Sequence, residues 1–382
     1  KPEDRLDLMN RRGFVTHAAA AGAGGVLAHV TGRRPEALRA ESVDAVEGTE
    51  TADAAETPRA VIPRRPFGAT GAEIPIVGLG AGSRFYGSTP DDEAGAELIR
   101  AAIDRGITFV ETGANYGPDG VSEKRIGLAM TTHREGVFLE TKIDERDYDG
   151  AMREMERSLR RMNTDHLDLV LHHLLGSRET VAEVAGPDGA EKAIRQMVDE
   201  GVVSYRGFSA HTPEVAMAGI QLLEPQAVQT PINAVRVPDF EEEVIPVAAE
   251  KGIAVIAMKT CGNGYFFPAN ATTPDRIEQY GPPPGAWDRW DLPTWTDYIH
   301  YVLSLPLTTA TIGIDSFFTL EGVVSAAASF APLTASSALR AASAAASSAD
   351  VTAAAAISLA AAPASSARLV ASSAACLNAS AA

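Results

Sequence analysis

Short apolar runs alternate with longer amphipathic segments between Arg64 and about Phe330. The runs are rich in β-branched residues and are almost unbroken, which is typical of parallel strands covered on both faces. In chain order they are "IPIVGLG", "ITFVET", "VFLETKI", "LDLVLHHL", "VVSYRGFS", "AVQTPIN", "IAVIAMKT" and "TATIGID". The pattern therefore predicts eight buried strands.

The segments between these runs carry apolar residues at helical spacing, as in "DDEAGAELIRAAIDRG", "YDGAMREMERSLRRMN", "AEKAIRQMVDEG" and "DFEEEVIPVAAEKG". Gly106, Gly201 and Gly252 stand where a helix C-cap is expected before the next strand. Eight strand–helix units predict an α/β fold, the (β/α)8 TIM barrel. The turn "GATG" lies between two extended pieces and predicts an N-terminal hairpin that closes the barrel floor. "GLGAG" is better read as a tight turn than as a phosphate loop, because it lacks the G-x-G-x-x-G pattern.

Four segments follow from these patterns: residues 1–30, 31–63, 64–334 and 335–382. In the first, Arg11 and Arg12 precede a weakly apolar run in "NRRGFVTHAAAAGAGGVLAHV", which resembles a twin-arginine export signal. The run is too short and too weakly hydrophobic for a stable membrane span. An exposed amphipathic helix is the alternative. The resemblance implies the twin-arginine export machinery as a partner and a periplasmic or other extracytoplasmic location.

The other segments are described by their composition. Residues 31–63 are acidic and rich in Ala, Glu and Thr, as expected of a linker, and residues 64–334 hold the predicted barrel. Residues 335–382 are almost entirely Ala and Ser, and form either a low-complexity tail or an artefact of the sequence. A net charge of −17 argues against nucleic acid or an anionic membrane as the main partner. The two cysteines provide no metal or cluster motif.

Polar side chains stand where consecutive strands end. Glu111 ends the second strand and Tyr116 follows in a glycine-rich loop, whereas Lys142 ends the third strand and His172 and His173 end the fourth. In a barrel of this kind, the C-terminal strand ends and the loops after them build the active site. Each group has an ordinary structural interpretation on its own. Together they predict an acid, a phenol, an amine and an imidazole at one mouth.

These residues carry a family resemblance. "GITFVETGANYGPDGVSEKRIGLAM" resembles the aldo-keto reductase pattern of a strand-end acid, a tyrosine five residues later and a "G-x-SE-x-x-(I/L)G" helix start. "FLETKI" and "DLVLHH" fall where that family has its lysine and histidine. The resemblance covers about residues 64–330. It implies an oxidoreductase that reduces a small-molecule aldehyde or ketone with hydride from NADP or NAD.

By position, the resemblance assigns roles to the mouth residues. Tyr116 is the general acid that protonates the carbonyl oxygen, Lys142 lowers the pKa of the phenol, and Glu111 pairs with Lys142. His173 orients the carbonyl, with His172 as the second choice. The resemblance also implies a cofactor-binding set: Ser209, Gln229, Met258, Lys259, Gly313, Asp315 and Ser316. Asp315 and the lack of a following basic residue before Arg340 weaken the case for NADP over NAD.

Two residues depart from the family pattern. Glu111 stands where the family usually has Asp, and Ala210 where many relatives have Asn. These departures support an alternative function, a dinucleotide-binding sensor or a near-inactive reductase homologue. A metal-dependent barrel hydrolase is a further alternative, but "IPIVGLG" lacks the H-x-H that such a site usually needs. Aromatic residues between Cys261 and Trp295 are predicted to wall a pocket for an apolar carbonyl substrate.

Overall fold

A computed structural model describes residues 61–233, 240–261 and 295–333. Within these ranges the chain forms a closed barrel of eight parallel strands, in the order β10-β3-β4-β5-β6-β7-β8-β9. The barrel strands are β3 (Val77–Gly80), β4 (Phe109–Glu111), β5 (Phe138–Ile143), β6 (Leu167–Leu175), β7 (Val203–Ala210), β8 (Ala227–Pro231), β9 (Ala254–Met258) and β10 (Thr309–Gly313). The (β/α)8 prediction is confirmed, and each predicted apolar run contains one barrel strand.

Helices follow the strands and cover the outside of the barrel. The described helices are α1 (Ser83–Ser88), α2 (Asp92–Asp104), α3 (Val121–His133), α4 (Tyr148–Arg161), α5 (Arg178–Val184), α6 (Ala190–Asp199), α7 (Pro213–Leu223), α8 (Phe240–Glu243), α9 (Ile245–Glu250), α10 (Trp295–Ser304) and α11 (Phe317–Ala328). Asp91 and Asp147 cap α2 and α4 by accepting backbone N–H bonds at 2.8 and 2.9 Å. Gly106, Gly201 and Gly252 have positive φ values, as predicted for C-caps.

One predicted helix is divided. "DFEEEVIPVAAEKG" forms the two short helices α8 and α9, separated at Val244. Pro246 lies in the first turn of α9, where the missing backbone N–H of proline costs no helical hydrogen bond. A single continuous helix through Pro246 would lose one hydrogen bond and bring the ring against the preceding turn. The helical pattern predicted here is therefore confirmed, as two short helices in succession.

An antiparallel hairpin precedes the barrel, with strands β1 (Arg64–Pro66) and β2 (Glu73–Pro75). Its turn carries Phe67, which is fully buried and contacts Phe138 and Tyr205 with ring centroids 4.9 and 5.4 Å apart. Because Phe138 is the first residue of β5, this contact lies at the N-terminal end of the strands. Gly68 has φ +56°, and a Cβ there would lie 2.3 Å from the Gly252 carbonyl oxygen. The hairpin thus closes the barrel floor.

Several predicted segments lie outside the described residues: the twin-arginine-like segment, the tail after residue 334 and most of the linker. The last linker residues are described, and Ile62 is buried in the core beside the barrel. The described core therefore includes a residue before Arg64. No helix in the described ranges is long and apolar enough to cross a membrane.

Candidate active site

Glu111 and Lys142 approach each other because β4 and β5 are neighbours in the barrel. Glu111 is the last residue of β4 and pairs in register with Glu140, two residues before Lys142. Lys142 is 1% exposed, and its Nζ donates hydrogen bonds to Glu111 Oε1 and, at 2.7 Å, to the Thr112 carbonyl oxygen. A buried ammonium group is costly unless it is paired. The strand ends therefore supply the pairing that the sequence predicted.

The extra length of Glu111 is accommodated by a glycine. Gly80 pairs with Glu111 across the β3–β4 ladder, and a Cβ at Gly80 would lie 3.0 Å from Glu111 Oε2. Such a contact is tight, so a larger residue at this position would push against the carboxylate. The chain thus has room for glutamate where the family resemblance anticipated aspartate.

Tyr116 lies over this ion pair. Its backbone N–H donates to the Gly113 carbonyl oxygen at 3.0 Å, which folds the loop back toward the end of β4. The phenol Oη donates to Glu111 Oε1 at 3.2 Å, and Lys142 Nζ lies 5.1 Å from the centre of the ring. The structure therefore brings Tyr116, Lys142 and Glu111 together.

The charges around Tyr116 act in opposite directions on its pKa. Burial raises the pKa of the phenol, the negative charge of Glu111 raises it further, and the positive charge of Lys142 lowers it. The net direction is upward. Lys142 thus pulls the pKa of Tyr116 in the expected direction, but the expected net lowering is not found. For Lys142 itself, burial lowers the pKa, but attraction to Glu111 and Tyr116 raises it by more, so the amine stays an ammonium ion.

The two histidines at the end of β6 point in different directions, as successive residues of a strand do. The His173 ring lies edge-on to Tyr116, with centroids 5.6 Å apart, and its Nδ1 is 2.8 Å from Asp144 Oδ1. His172 is fully buried, and its Nε2 lies 2.9 Å from Glu191 Oε2 on helix α6. The structure places His173 with Tyr116, and it places the second choice, His172, in the helix layer.

Glu140 is a site residue that the sequence analysis missed. Because side chains two apart on a strand share a face, Glu140 lies on the same side of β5 as Lys142. It is fully buried, and its Oε1 is 3.1 Å from Lys142 Nζ. At this distance Lys142 attracts Glu140, but neither Glu140 oxygen accepts a well-formed hydrogen bond from the described residues. The alternation in "ETK" was the signal that could have revealed it.

Burial controls the ionisation of Glu140. Desolvation raises the pKa of Glu140, the charge of Lys142 lowers it, and repulsion from Glu111 raises it, with the result at about 8. Two carboxyl groups thus approach a single ammonium ion, and burial favours the neutral form of the deeper one, Glu140.

Ser209 on β7 and Gln229 on β8 lie side by side, in register with each other. Ser209 Oγ accepts the Leu174 backbone N–H at 2.7 Å. Gln229 is fully buried, and both its amide oxygen and its amide nitrogen lack a hydrogen-bond partner within the described residues. A buried amide with an unused donor and an unused acceptor fits the carboxamide of a nicotinamide ring, which offers one of each.

The remaining predicted cofactor residues lie at the ends of β9 and β10. Met258 ends β9 and is half-buried, and Lys259 follows in the left-handed region with φ 57°. The Lys259 carbonyl oxygen accepts a hydrogen bond from Asn233 Nδ2 at 3.1 Å. Gly313 ends β10, and the next helix, α11, is capped by Ser316, whose Oγ accepts the Thr319 backbone N–H at 3.2 Å. The predicted set therefore lies around the mouth of the barrel, at the C-terminal side of the strands, which we call the rim.

Asp315 has a basic partner and a hydroxyl partner. Its carboxylate forms a buried ion pair with Arg84 of helix α1, and it also accepts a hydrogen bond from Thr319 Oγ1 at 2.6 Å. A Cβ at Gly313 would lie 3.1 Å from Arg84 Cβ, so the two segments are closely packed. The expectation from the sequence concerned only basic residues that follow Asp315 in the chain. The basic partner of Asp315 comes instead from helix α1, which follows β3 early in the chain.

One further prediction cannot be placed. The aromatic residues expected to wall a substrate pocket, Tyr265, Phe266, Phe267, Trp287 and Trp290, lie outside the described residues. Among residues 61–233, 240–261 and 295–333, no group of three or more His, Cys, Asp or Glu side chains could hold a metal ion.

The fold and the rim define the class of protein: a parallel (β/α)8 barrel with a tyrosine, a lysine, a carboxylate and a histidine at one end. Residues 76–287 match the model of the Aldo/keto reductase family, and the chain belongs to that family. It is a family of oxidoreductases whose members use NADP(H) or NAD(H). This confirms the family resemblance seen in the sequence.

Individual relatives agree with this assignment. The chain is 26% identical over 220 residues to a Glycine max protein named "Probable aldo-keto reductase 1", and the match covers 52% of the chain and 60% of the relative. The chain thus spans about three fifths of the length of this relative.

Solved structures show the same fold. The holo form of the aldo-keto reductase AKR11C1 from Bacillus halodurans superposes with a TM-score of 0.60 at 22% identity, over 73% of this chain and 95% of that one. The thermostable aldo-keto reductase Tm1743, in complex with the inhibitor epalrestat, gives a TM-score of 0.58 at 22% identity, over 72% and 97% of the two chains. At these identities the likeness supports the fold.

Proposed function

We propose that this protein reduces an aldehyde or ketone with a nicotinamide dinucleotide, and that Tyr116 is the general acid. The observation that carries the proposal is the shared carboxylate: Tyr116 Oη and Lys142 Nζ both donate to Glu111 Oε1. A phenol held beside a buried ammonium ion can deliver a proton, because the positive charge stabilises the phenolate that remains.

The proton step uses this chain's own residues. The Tyr116 hydroxyl turns its hydrogen from Glu111 to the carbonyl oxygen, and Lys142 stabilises the resulting phenolate by its charge. His173, whose ring lies edge-on to Tyr116, orients the carbonyl group. When bound, the reduced dinucleotide supplies hydride to the carbonyl carbon. A hydride on carbon and a proton on oxygen together give the alcohol.

The cofactor would be held along the rim of the barrel. Gln229 and Ser209 would bind the carboxamide, because Gln229 has an unused donor and acceptor and the two residues pair across neighbouring strands. Gly313, Asp315 and Ser316 lie between the end of β10 and the start of α11. Met258 ends β9 and Lys259 follows it, between the two groups. The backbone N–H groups at the start of a helix suit a phosphate group. We therefore assign these residues to the dinucleotide site.

The second candidate function is a dinucleotide-binding sensor or a near-inactive reductase. One observation favours it: burial and Glu111 together raise the pKa of Tyr116 despite Lys142, which makes the phenol a weaker acid. Both functions use the same cofactor site. They differ in whether the bound dinucleotide is consumed.

The test is consumption of reduced dinucleotide with a panel of aliphatic and aromatic aldehydes, for the wild type and Tyr116→Phe. We expect turnover by the wild type and a loss of about 10²- to 10⁴-fold in Tyr116→Phe, as for removal of a general acid. Dinucleotide binding should remain, since the phenol oxygen is all that changes. Equal rates would rule out Tyr116 as the acid. Tight dinucleotide binding by the wild type with no turnover on any aldehyde would favour the sensor.

We also propose that the segment around Arg11 and Arg12 directs export to the periplasm or another extracytoplasmic space. The paired arginines before a weakly apolar run support this proposal. Fractionation of cells that express the chain, compared with Arg11→Lys/Arg12→Lys, tests it. Unchanged distribution of the two proteins would contradict export by this route.

A further inference from the structure

Glu140 is a buried acid to which the proposed reduction assigns no step. It is fully buried inside the barrel, pairs in register with Glu111 on β4 and with Leu169 on β6, and has Lys142 two residues away on its own strand. The charged groups that act on it are Lys142 and Glu111, and Glu140 in turn acts on Tyr116. An apolar side chain would fill this position without the cost of burying a carboxyl group.

The two acids near Lys142 are not equivalent. Glu111 Oε1 accepts hydrogen bonds from both Lys142 and Tyr116. Glu140 Oε1 lies 3.1 Å from Lys142 Nζ, yet neither of its oxygens accepts a hydrogen bond within the described residues. Two carboxylates that share one buried ammonium ion would leave a net negative charge in a dry interior. A proton on one of them removes that charge, and Glu140, which is fully buried and lacks the two hydrogen bonds that Glu111 accepts, is the one to hold it.

We propose that Glu140 is a positioning residue that holds a proton beneath the Tyr116 site and thereby leaves the full charge of Lys142 to Glu111 and Tyr116. This inference rests on the proposed role of Tyr116 as the acid. When Glu140 loses its proton to solvent, the new negative charge competes for Lys142 and opposes formation of the phenolate. Carbonyl reduction then slows, although no residue that contacts the substrate has changed.

The sign of the pH effect follows from this arrangement. Because the pKa of Glu140 is raised to about 8, the group is neutral below that pH and charged above it. The pKa values of Tyr116 and Lys142 are raised as well, so neither of these two groups loses its proton near pH 8. His173 and Asp144 also lie near Tyr116, but both remain in a Glu140→Gln variant. A difference between the two pH profiles therefore reports Glu140.

The first measurement is the pH dependence of carbonyl reduction, at saturating dinucleotide, for the wild type and Glu140→Gln. We expect the wild-type rate to fall about tenfold above pH 8 and the Glu140→Gln rate to fall less than about twofold over the same range. Circular dichroism melts establish that both proteins are folded across this range. Profiles that fall together in both proteins would overturn the proposal.

The second measurement detects the proton itself and needs no activity. Infrared spectroscopy should show a protonated carboxyl band at pH 7 that disappears by pH 9.5, that is absent in Glu140→Gln and that persists in Glu123→Gln. Glu123 is a matched control, because it is another buried glutamate and burial raises its pKa too. Absence of a Glu140-dependent band would overturn the proposal even if the protein reduces carbonyls.

The third measurement tests the link to Tyr116 and separates this inference from the proposed function. Tyrosinate absorbance is titrated in the wild type and in Glu140→Gln, each against its own Tyr116→Phe derivative. We expect Tyr116 to ionise at a lower pH in Glu140→Gln, because one opposing charge is gone. An unchanged titration would refute the coupling. If no carbonyl is reduced but the titration shifts, the reductase assignment fails and the Glu140–Tyr116 coupling stands.

Discussion

The floor of this barrel is packed with aromatic rings, whereas its rim contains buried charged groups. At the floor, Phe67 packs among rings, and Phe138 stacks on Tyr205 with an interplanar angle of 8°. At the rim, Lys142 approaches Glu111 and Glu140, and Tyr116 closes over them. Burial of apolar rings stabilises the fold by itself, whereas burial of charges is stable only when each is paired or neutralised. We therefore expect substitutions at the floor to change mainly stability and substitutions at the rim to change mainly the proposed reaction.

Lys142→Met removes the ammonium ion at the rim, and we expect it to have the largest effect of the three substitutions considered. Methionine keeps much of the volume of the side chain but leaves Glu111 and Glu140 without a cation. Removing one partner of a buried ion pair costs about 3–5 kcal/mol, and loss of the charge next to Tyr116 removes the stabilisation of the phenolate. We expect a large fall in both the free energy of unfolding and the reduction rate, measured by denaturant titration and by dinucleotide consumption. A variant as stable and as active as the wild type would show that the rim charges are dispensable.

Phe67→Ala removes a buried aromatic ring from the floor of the barrel. Phe67 is fully buried against Phe138 and Tyr205, so truncation leaves a cavity and should destabilise the fold by about 3–5 kcal/mol. The rim is at the opposite end of the strands, so the reduction rate of the folded protein should change less than about threefold. Denaturant titration and steady-state kinetics on one preparation test both parts. A strong loss of activity with little loss of stability would contradict the division of roles.

Gln229→Ala is expected to have the smallest effect, and it tests where on the rim the nicotinamide ring binds. The amide of Gln229 is buried and makes no hydrogen bond within the described residues, so its loss breaks no bond there, and the cavity left by the shorter side chain should destabilise the protein less than Phe67→Ala does. Loss of its hydrogen bonds to a nicotinamide carboxamide should weaken dinucleotide binding about 3- to 30-fold. Calorimetry with the dinucleotide measures this change. Unchanged affinity would place the nicotinamide elsewhere on the rim.

Much of the fold could be predicted from the sequence because each barrel strand is an apolar run between polar segments. The rim trio of Glu111, Tyr116 and Lys142 could be predicted as well, because parallel strands in a barrel bring their C-terminal ends to one side. The choice of His173 over His172 rested on family spacing. In the structure it corresponds to alternation along β6, which turns His172 toward Glu191 on the helix layer.

The remaining features depend on contacts that a single segment does not encode. Arg84 and Asp315 are separated by 231 positions, so their pairing appears only when β10 closes against β3. Glu140 lies within a run predicted as an apolar strand, and its burial is explained only by the nearby Lys142. The net direction of the pKa of Tyr116 depends on the balance of burial, Glu111 and Lys142, which requires distances.

Two tyrosines, one at each end of the barrel, permit the most direct test of the central claim that Tyr116 at the rim is the acid. Hydride transfer is measured in a single turnover for Tyr116→Phe at the rim and Tyr205→Phe at the floor, each loaded with reduced dinucleotide. The account predicts that Tyr116→Phe transfers hydride at least about 100-fold more slowly than the wild type. Tyr205→Phe should stay within about threefold of it. Equal rates in the two variants would contradict the account.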